Sequence, residues 1–128
     1  EVMYELSKFG IGVSTFIGLG ADPIIGANYT DLLPLFEEDP STEKIILLEE
    51  FGGIFEEDIA NFLSQHFTKP VIAMVVGKST PAIGGFINTG AISLTGKDRS
   101  QKNSISFQDV GVEIANTVED IPDLIRKK

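Results

Sequence analysis

The chain contains no cysteine among its 128 residues. That excludes disulfides, a thiolate nucleophile and cysteine-ligated metals, and it fits a reducing compartment. Positive charge is also scarce. Ten lysines and arginines face nineteen aspartates and glutamates, for a net charge of −9. With no basic stripe to neutralise phosphates, non-specific nucleic-acid binding is not expected. No apolar run approaches the ~20 residues needed to span a bilayer, so no membrane association is expected. Internal repeats and low-complexity tracts are likewise missing, and the opening residues do not read as a signal or transit segment. There is one histidine, His66, and no base stands near the loop hydroxyls Ser79, Thr80 and Thr89, which leaves a serine-type triad unsupported.

What is present is an alternation of strand and helix signals. Residues 13–17 are short and rich in β-branched side chains. Residues 44–49 and 70–76 are continuous apolar runs of the kind a strand buried on both faces needs, and 112–115 reads as a last short strand. Between them, Thr30 is positioned to cap a helix with Pro34 in its first turn, ending near Asp39-Pro40. Phe55, Ile59, Phe62 and Leu63 recur at helical spacing, residues 104–110 form a weak helix, and Thr117 with Asp120 resembles a capping box. Phe9, Phe16 and Phe36 read as core. The alternation predicts an α/β fold: a flavodoxin-like three-layer sandwich with a mostly parallel sheet over residues 1–128, one domain. Residues 1–6 read as the middle of a helix without its cap, so the domain is expected to be a fragment of a longer subunit.

In such sheets ligands gather beyond the carboxyl ends of the strands. Three glycine-rich loops converge there: Gly18 to Gly26, Glu49 to Gly53, and Gly77 to Gly90. Each leads toward a helix or turn whose N–H groups can face an anion. Glu50 stands at the end of an apolar strand, followed by Phe51, Gly52 and Gly53. Glu56-Glu57-Asp58 then supply first-turn charge that complements the helix dipole. Glu49 reads as a surface charge.

The segments Gly18-Leu19-Gly20-Ala21-Asp22-Pro23-Ile24, Glu50-Phe51-Gly52-Gly53 and Gly90-Ala91-Ile92 together resemble the C-terminal ligase domain of the succinyl-CoA synthetase α subunit, over nearly the whole chain. This is the CoA-ligase domain of the acid–CoA ligase superfamily. The resemblance implies that Glu50 takes the place of the glutamate that steadies the family's phosphorylated histidine. Gly52, Gly53, Thr89 and Gly90 then belong to an anion- or phosphate-binding loop. One departure outweighs the agreements. The family's histidine segment runs approximately Ala-Pro-x-Gly-x-Arg-Met-Gly-His-Ala-Gly-Ala-Ile, and here Asn88 replaces the histidine while Gly84 and Gly85 replace the basic residues before it. An asparagine amide cannot carry a phosphoryl group. His66, at the end of the third helix, matches a family histidine well away from the chemistry and reads as structural. Lys97 follows Gly96 as in the family's Gly-Lys pair.

The implied function is that of an acid–CoA ligase α-subunit domain that forms part of an active site and subunit interface but lacks the phosphohistidine. The alternatives are an FdrA-like acyl- or carbamoyl-transfer subunit and a non-catalytic assembly domain. Enzymatic activity is expected of the full complex, as a nucleotide-dependent ligase or related acyltransferase, and not of the isolated domain. No metal and no cofactor is expected on this domain alone; CoA and ATP or GTP are implied for the full complex. The implied partners are a β-type ligase subunit or tandem domain and a CoA-binding domain upstream, and the implied location is cytoplasmic. Ile24, Ile25, Phe51, Ile54, Ile83, Phe86 and Ile87, all at loop positions, are expected to contribute a partner surface.

Overall fold

The computed structural model describes residues 1–20, 24–50, 56–76 and 107–127. Their elements in chain order are α1 (Val2–Lys8), α2 (Tyr29–Glu38), β1 (Ile45–Glu50), α3 (Glu56–His66), β2 (Val71–Val76), β3 (Glu113–Ala115) and α4 (Asp120–Arg126). The three strands form an open sheet in the order β1-β2-β3. Both pairings are parallel, with Ile45 opposite Val71 and Ile72 opposite Glu113.

Two apolar clusters, one on each face, make this the three-layer α/β sandwich that the alternation predicts. Ile45, Leu47, Val71 and Ala73 pack on one face with Leu33 of α2, with Ile59, Ala60 and Leu63 of α3, and with Phe107 and Val112. Ile72 and Ala115 pack on the other with Leu6 of α1 and Ile121 of α4. The period of two along each strand sorts these side chains onto opposite faces. The second face is covered less completely. Leu48 and Val76, on that face at the carboxyl ends of β1 and β2, are 39% and 45% exposed.

Two helical segments end in the same way, and both endings require glycine. Gly10, with φ of 70°, donates its N–H to Ser7 O, while Ile11 N–H reaches back to Leu6 O. Gly111, with φ of 81°, donates to Gln108 O, and Val112 N–H reaches Phe107 O. This is the pattern that closes a helix with a left-handed residue and brings two apolar residues together across the turn. Here those pairs are Leu6 with Ile11 and Phe107 with Val112.

The segment 13–17 departs from expectation. It forms no strand, and Val13, Phe16 and Ile17 are 44%, 68% and 45% exposed. Residue type is a weak determinant of strands; pairing makes them, and nothing among the described residues pairs with this one. Phe16 is therefore not core. Nor is Phe9, which is 44% exposed and lies under the Arg126 guanidinium, 4.4 Å from its ring centre. Phe36 does pack against the first cluster.

The cap of α2 also differs. Asn28, not Thr30, is the N-cap, and Asn28 and Asp31 exchange side-chain and backbone hydrogen bonds in a full capping box. The Thr30 hydroxyl donates to Asn28 Oδ1 at 2.6 Å and so supports the cap from inside the helix. With the helix starting two residues earlier, Pro34 falls in the second turn. At the start of α4 one half of the expected Thr117/Asp120 box is present: the Asp120 carboxylate accepts the N–H groups of Asn116 and Thr117, each at 3.0 Å.

At the amino ends of the strands, two lysines fasten helix ends to the sheet. Lys69 Nζ, just before β2, donates to Phe36 O and Asp39 O at 2.7 Å each, at the C-terminus of α2. Lys44 Nζ, just before β1, does the same for α4 through Ile125 O and Lys127 O. A cation there satisfies carbonyls the helix cannot and opposes the negative end of its dipole. Replacing Lys69 with methionine keeps the stem and removes both bonds, which are hydrogen bonds from a charged donor. A loss of about 1.5–3 kcal/mol is expected, read as a lower denaturation midpoint with an unchanged m-value.

Candidate functional site

The parallel register brings the carboxyl ends of β1 and β2 side by side, with Glu49 opposite Val75 and Glu50 opposite Val76. β1 ends here at Glu50 and β2 at Val76; residues 51–55 and 77–106, which follow them, lie outside the described residues, and the described chain resumes after the first gap at the N-terminus of α3. Helix α2 runs antiparallel to β1, so its N-terminus also lies at this edge. The Tyr29 hydroxyl, in the first turn of α2, donates to Leu48 O at 3.4 Å. The carboxyl edge thus collects two glutamates, the capped start of α2 and the approach to α3. Helix starts there turn N–H groups and a positive dipole end toward anything bound beyond the strands.

Of the residues singled out from the sequence, Glu50 is placed at the end of β1. Asn88, Gly52, Gly53, Thr89 and Gly90 lie outside the described residues, as do Phe51, Ile54, Ile83, Phe86, Ile87 and Lys97. Ile24 is 93% exposed just ahead of α2, and Ile25 is half-buried with its Cγ2 3.1 Å from where a Cβ on Gly20 would sit. Glu49 is not the surface charge expected. It is 6% exposed, on the α2/α3 face of β1 in line with Ile45 and Leu47. A carboxylate in line with those apolar residues is taken out of water by tertiary packing, which sequence pattern alone does not carry.

His66 closes α3 at the opposite, amino edge, where its ring lies 5.2 Å from that of Phe62. The length of α3 separates it from the carboxyl ends of the strands. No group of three or more metal-ligating side chains occurs among the described residues. No helix among them is long and apolar enough to cross a membrane. A shallow groove of about 190 Å³ between Thr15, Ile17 and the outer face of α2 stands apart from the carboxyl edge.

Among the described residues, two carboxylates with displaced titration, Glu37 and Asp39, are at the amino edge as well. The Thr68 hydroxyl, helped by the N–H groups of Lys69 and Thr68 and by the Lys69 charge, holds Glu37 below the ordinary carboxylate value. The Thr42 hydroxyl does the same for Asp39, with the N–H and hydroxyl of Ser41 adding to it. Both groups therefore stabilise the fold above the unfolded carboxylate range, and that stabilisation is lost as the pH falls through their folded values. Replacing Glu37 with glutamine is expected to lower the melting temperature at pH 7 and to leave a flatter acid limb between pH 5 and 3, measured by thermal denaturation across that range. An acid limb as steep as the parent's would refute the assignment.

Comparison with known proteins gives the following. The family model described as CoA-ligase matches residues 1–115. The α subunit of the ADP-forming succinate–CoA ligase of Staphylococcus epidermidis is 35% identical over 121 residues, 94% of this chain and 40% of that protein. The corresponding subunits of Archaeoglobus fulgidus and Aquifex aeolicus are 34% and 32% identical over 127 residues, 99% of this chain and 43% and 42% of theirs. Among solved structures, the ATP citrate lyase of Methanosaeta concilii in complex with (3S)-citryl-CoA superposes with a TM-score of 0.69 at 29% identity, over 84% of this chain and 18% of that one. The chain spans about two-fifths of the length of the curated relatives it matches.

Proposed function

Because the chain belongs to the CoA-ligase family, we propose that it serves as the C-terminal domain of an acid–CoA ligase-type α subunit, one that shapes the active site and the subunit interface without a phosphohistidine. The observation that carries this reading is the family match over residues 1–115, joined to a sheet whose carboxyl edge holds Glu49, Glu50 and the start of α2. Relatives of this kind are α subunits, so the domain's partner is a β-type ligase subunit or tandem domain, and CoA and nucleotide are handled by the complete assembly. Ile24, almost wholly exposed beside the glycine-rich approach to α2, supports a protein surface at this edge.

Asn88 favours a second reading as well: transfer of an acyl or carbamoyl group that arrives already activated, so that no phosphoryl group need pass through this subunit. One experiment separates the two. The full-length protein with its partner is incubated with a carboxylic acid, ATP and CoA, and in parallel with an acyl phosphate and CoA in the absence of ATP. Thioester in the first mixture supports the ligase; thioester in the second alone supports transfer. Absence of thioester from both, across a panel of small acids, leaves the assembly-domain reading in place of either.

A further inference from the structure

We propose that the groove between residues 15–17 and the outer face of α2 is a docking site for a basic segment of a partner protein, one that presents a large apolar side chain beside lysine or arginine. The groove holds about 190 Å³ and is lined by Thr15, Ile17, Leu32, Leu35, Phe36 and Asp39. Four of these six are large apolar side chains, and Asp39 is the only charged one. A cavity of ~150 Å³ walled by leucine, isoleucine and phenylalanine is roomy enough to take up benzene, so one leucine or phenylalanine side chain suits this groove. A single exposed leucine on a helix is ordinary. Here Leu35 and Ile17, 63% and 45% exposed, line the same concavity, and Phe36 between them is packed against the first core cluster.

Charge chooses the occupant. Glu37, Glu38 and Asp39 are consecutive at the C-terminus of α2, and the helix contains no lysine or arginine. Against these three carboxylates stands the Lys69 ammonium, which is held on the carbonyls of Phe36 and Asp39. The end of α2 therefore stays negative, and the negative end of the helix dipole adds to it. Glu37 is compensated for this placement by the N–H groups of Thr68 and Lys69. Glu38, exposed and three residues from Leu35, makes no such bond within the described residues. At the rim of the groove Asp39 accepts the Thr42 hydroxyl and the N–H and hydroxyl of Ser41, which keep its carboxylate ionised. An apolar floor beside excess carboxylate fits an apolar side chain flanked by cations.

The same charge disfavours the other occupants. A second copy would bring two chains of −9 each together, and a nucleic acid or an anionic lipid surface would meet like charge. The groove stands apart from the carboxyl edge of the sheet, and nothing in its reading uses family membership. It stands or falls independently of the ligase reading.

The test uses the full-length protein and a labelled peptide, Lys-Arg-Leu-Phe-Lys-Arg, followed by fluorescence anisotropy. Two counterparts replace its apolar pair with serine or its basic residues with glutamate. Saturable binding of the first peptide is expected, with both counterparts about tenfold weaker or more. On the protein side, Leu35→Ala and Glu38→Lys are each expected to weaken binding by about tenfold or more. Leu35 is exposed, and a lysine at position 38 agrees with the helix dipole, so both variants retain the fold. A diazirine-bearing amino acid at position 35 checks the alternative occupants in the same full-length protein. No saturable binding, a counterpart that binds as tightly, or an unchanged affinity in either variant overturns the proposal. So does a crosslink from position 35 to a second copy or to a part of the same polypeptide outside residues 1–128. Thioester formation is read in a separate assay, so the two readings fail separately.

Discussion

Incubating the full-length protein and its partner with γ-labelled ATP is expected to leave no acid-labile phosphate on this chain, and Asn88→His alone is expected not to create any. The first half follows from the amide, which has no lone pair nucleophilic enough to accept a phosphoryl group. The second half is electrostatic. A phosphohistidine needs cations to offset its charge, and a like charge within ~6 Å would cost about 2–3 kcal/mol at an effective dielectric near 20. Gly84 and Gly85 remove the cations that the family places before its histidine. Glu49 and Glu50, at the end of β1, are acidic and supply no positive charge in their place. The triple variant Gly84→Lys, Gly85→Arg, Asn88→His is the informative companion, because it restores nucleophile and charge together. Phosphate on Asn88→His alone at the level of the triple variant would show that the lost cations do not matter.

How far the sequence reports the fold varies by element, and the reason is physical in each case. The runs 45–48 and 71–76 are legible because a parallel strand with helices over it must be apolar at every position. Helix α3 is legible because Ile59, Phe62 and Leu63 recur at its period. Residues 13–17 carry the same strand-forming types, but among the described residues none pairs with them to make types into a strand. The start of α2 is missed by two residues because Asn28 and Thr30 are both competent caps, and the winner is decided by Asp31, whose carboxylate reaches back to the Asn28 N–H at 3.0 Å. The burial of Glu49 depends on what packs over the end of β1, a tertiary fact. Lys44 and Lys69 look like ordinary surface cations; their task appears only once the C-termini of α4 and α2 arrive beside them. At the candidate site, Glu50 is legible as the residue where an apolar strand stops, and the glycine pair after it as the turn that such a stop needs.

The largest loss of stability is expected from Phe107→Ala. Phe107 is fully buried, yet it sits in a stretch the sequence presents as a weak helix of mixed polarity. Its position is enforced locally. Gly111 takes the left-handed conformation that lets Val112 N–H return to Phe107 O at 3.0 Å, and this turn folds the ring of Phe107 and the side chain of Val112 onto the same cluster. The same cluster holds Leu33, Leu47, Ile59 and Leu63, so a fully buried ring just ahead of β3 belongs to the core shared by α2, α3 and the sheet. Truncating it to alanine removes the transfer energy of the ring and leaves a void walled by three elements that cannot all close on it. A cost of about 3–5 kcal/mol is expected, a large share of the ~5–15 kcal/mol that holds a domain of this kind. Leu35→Ala is the matched control: Leu35 is 63% exposed on α2, alanine is the better helix former, and a change within about 1 kcal/mol is expected. Urea denaturation of both variants in the full-length protein measures the difference. Equal midpoints for the two would mean that Phe107 is not the residue joining α2 and α3 to the sheet.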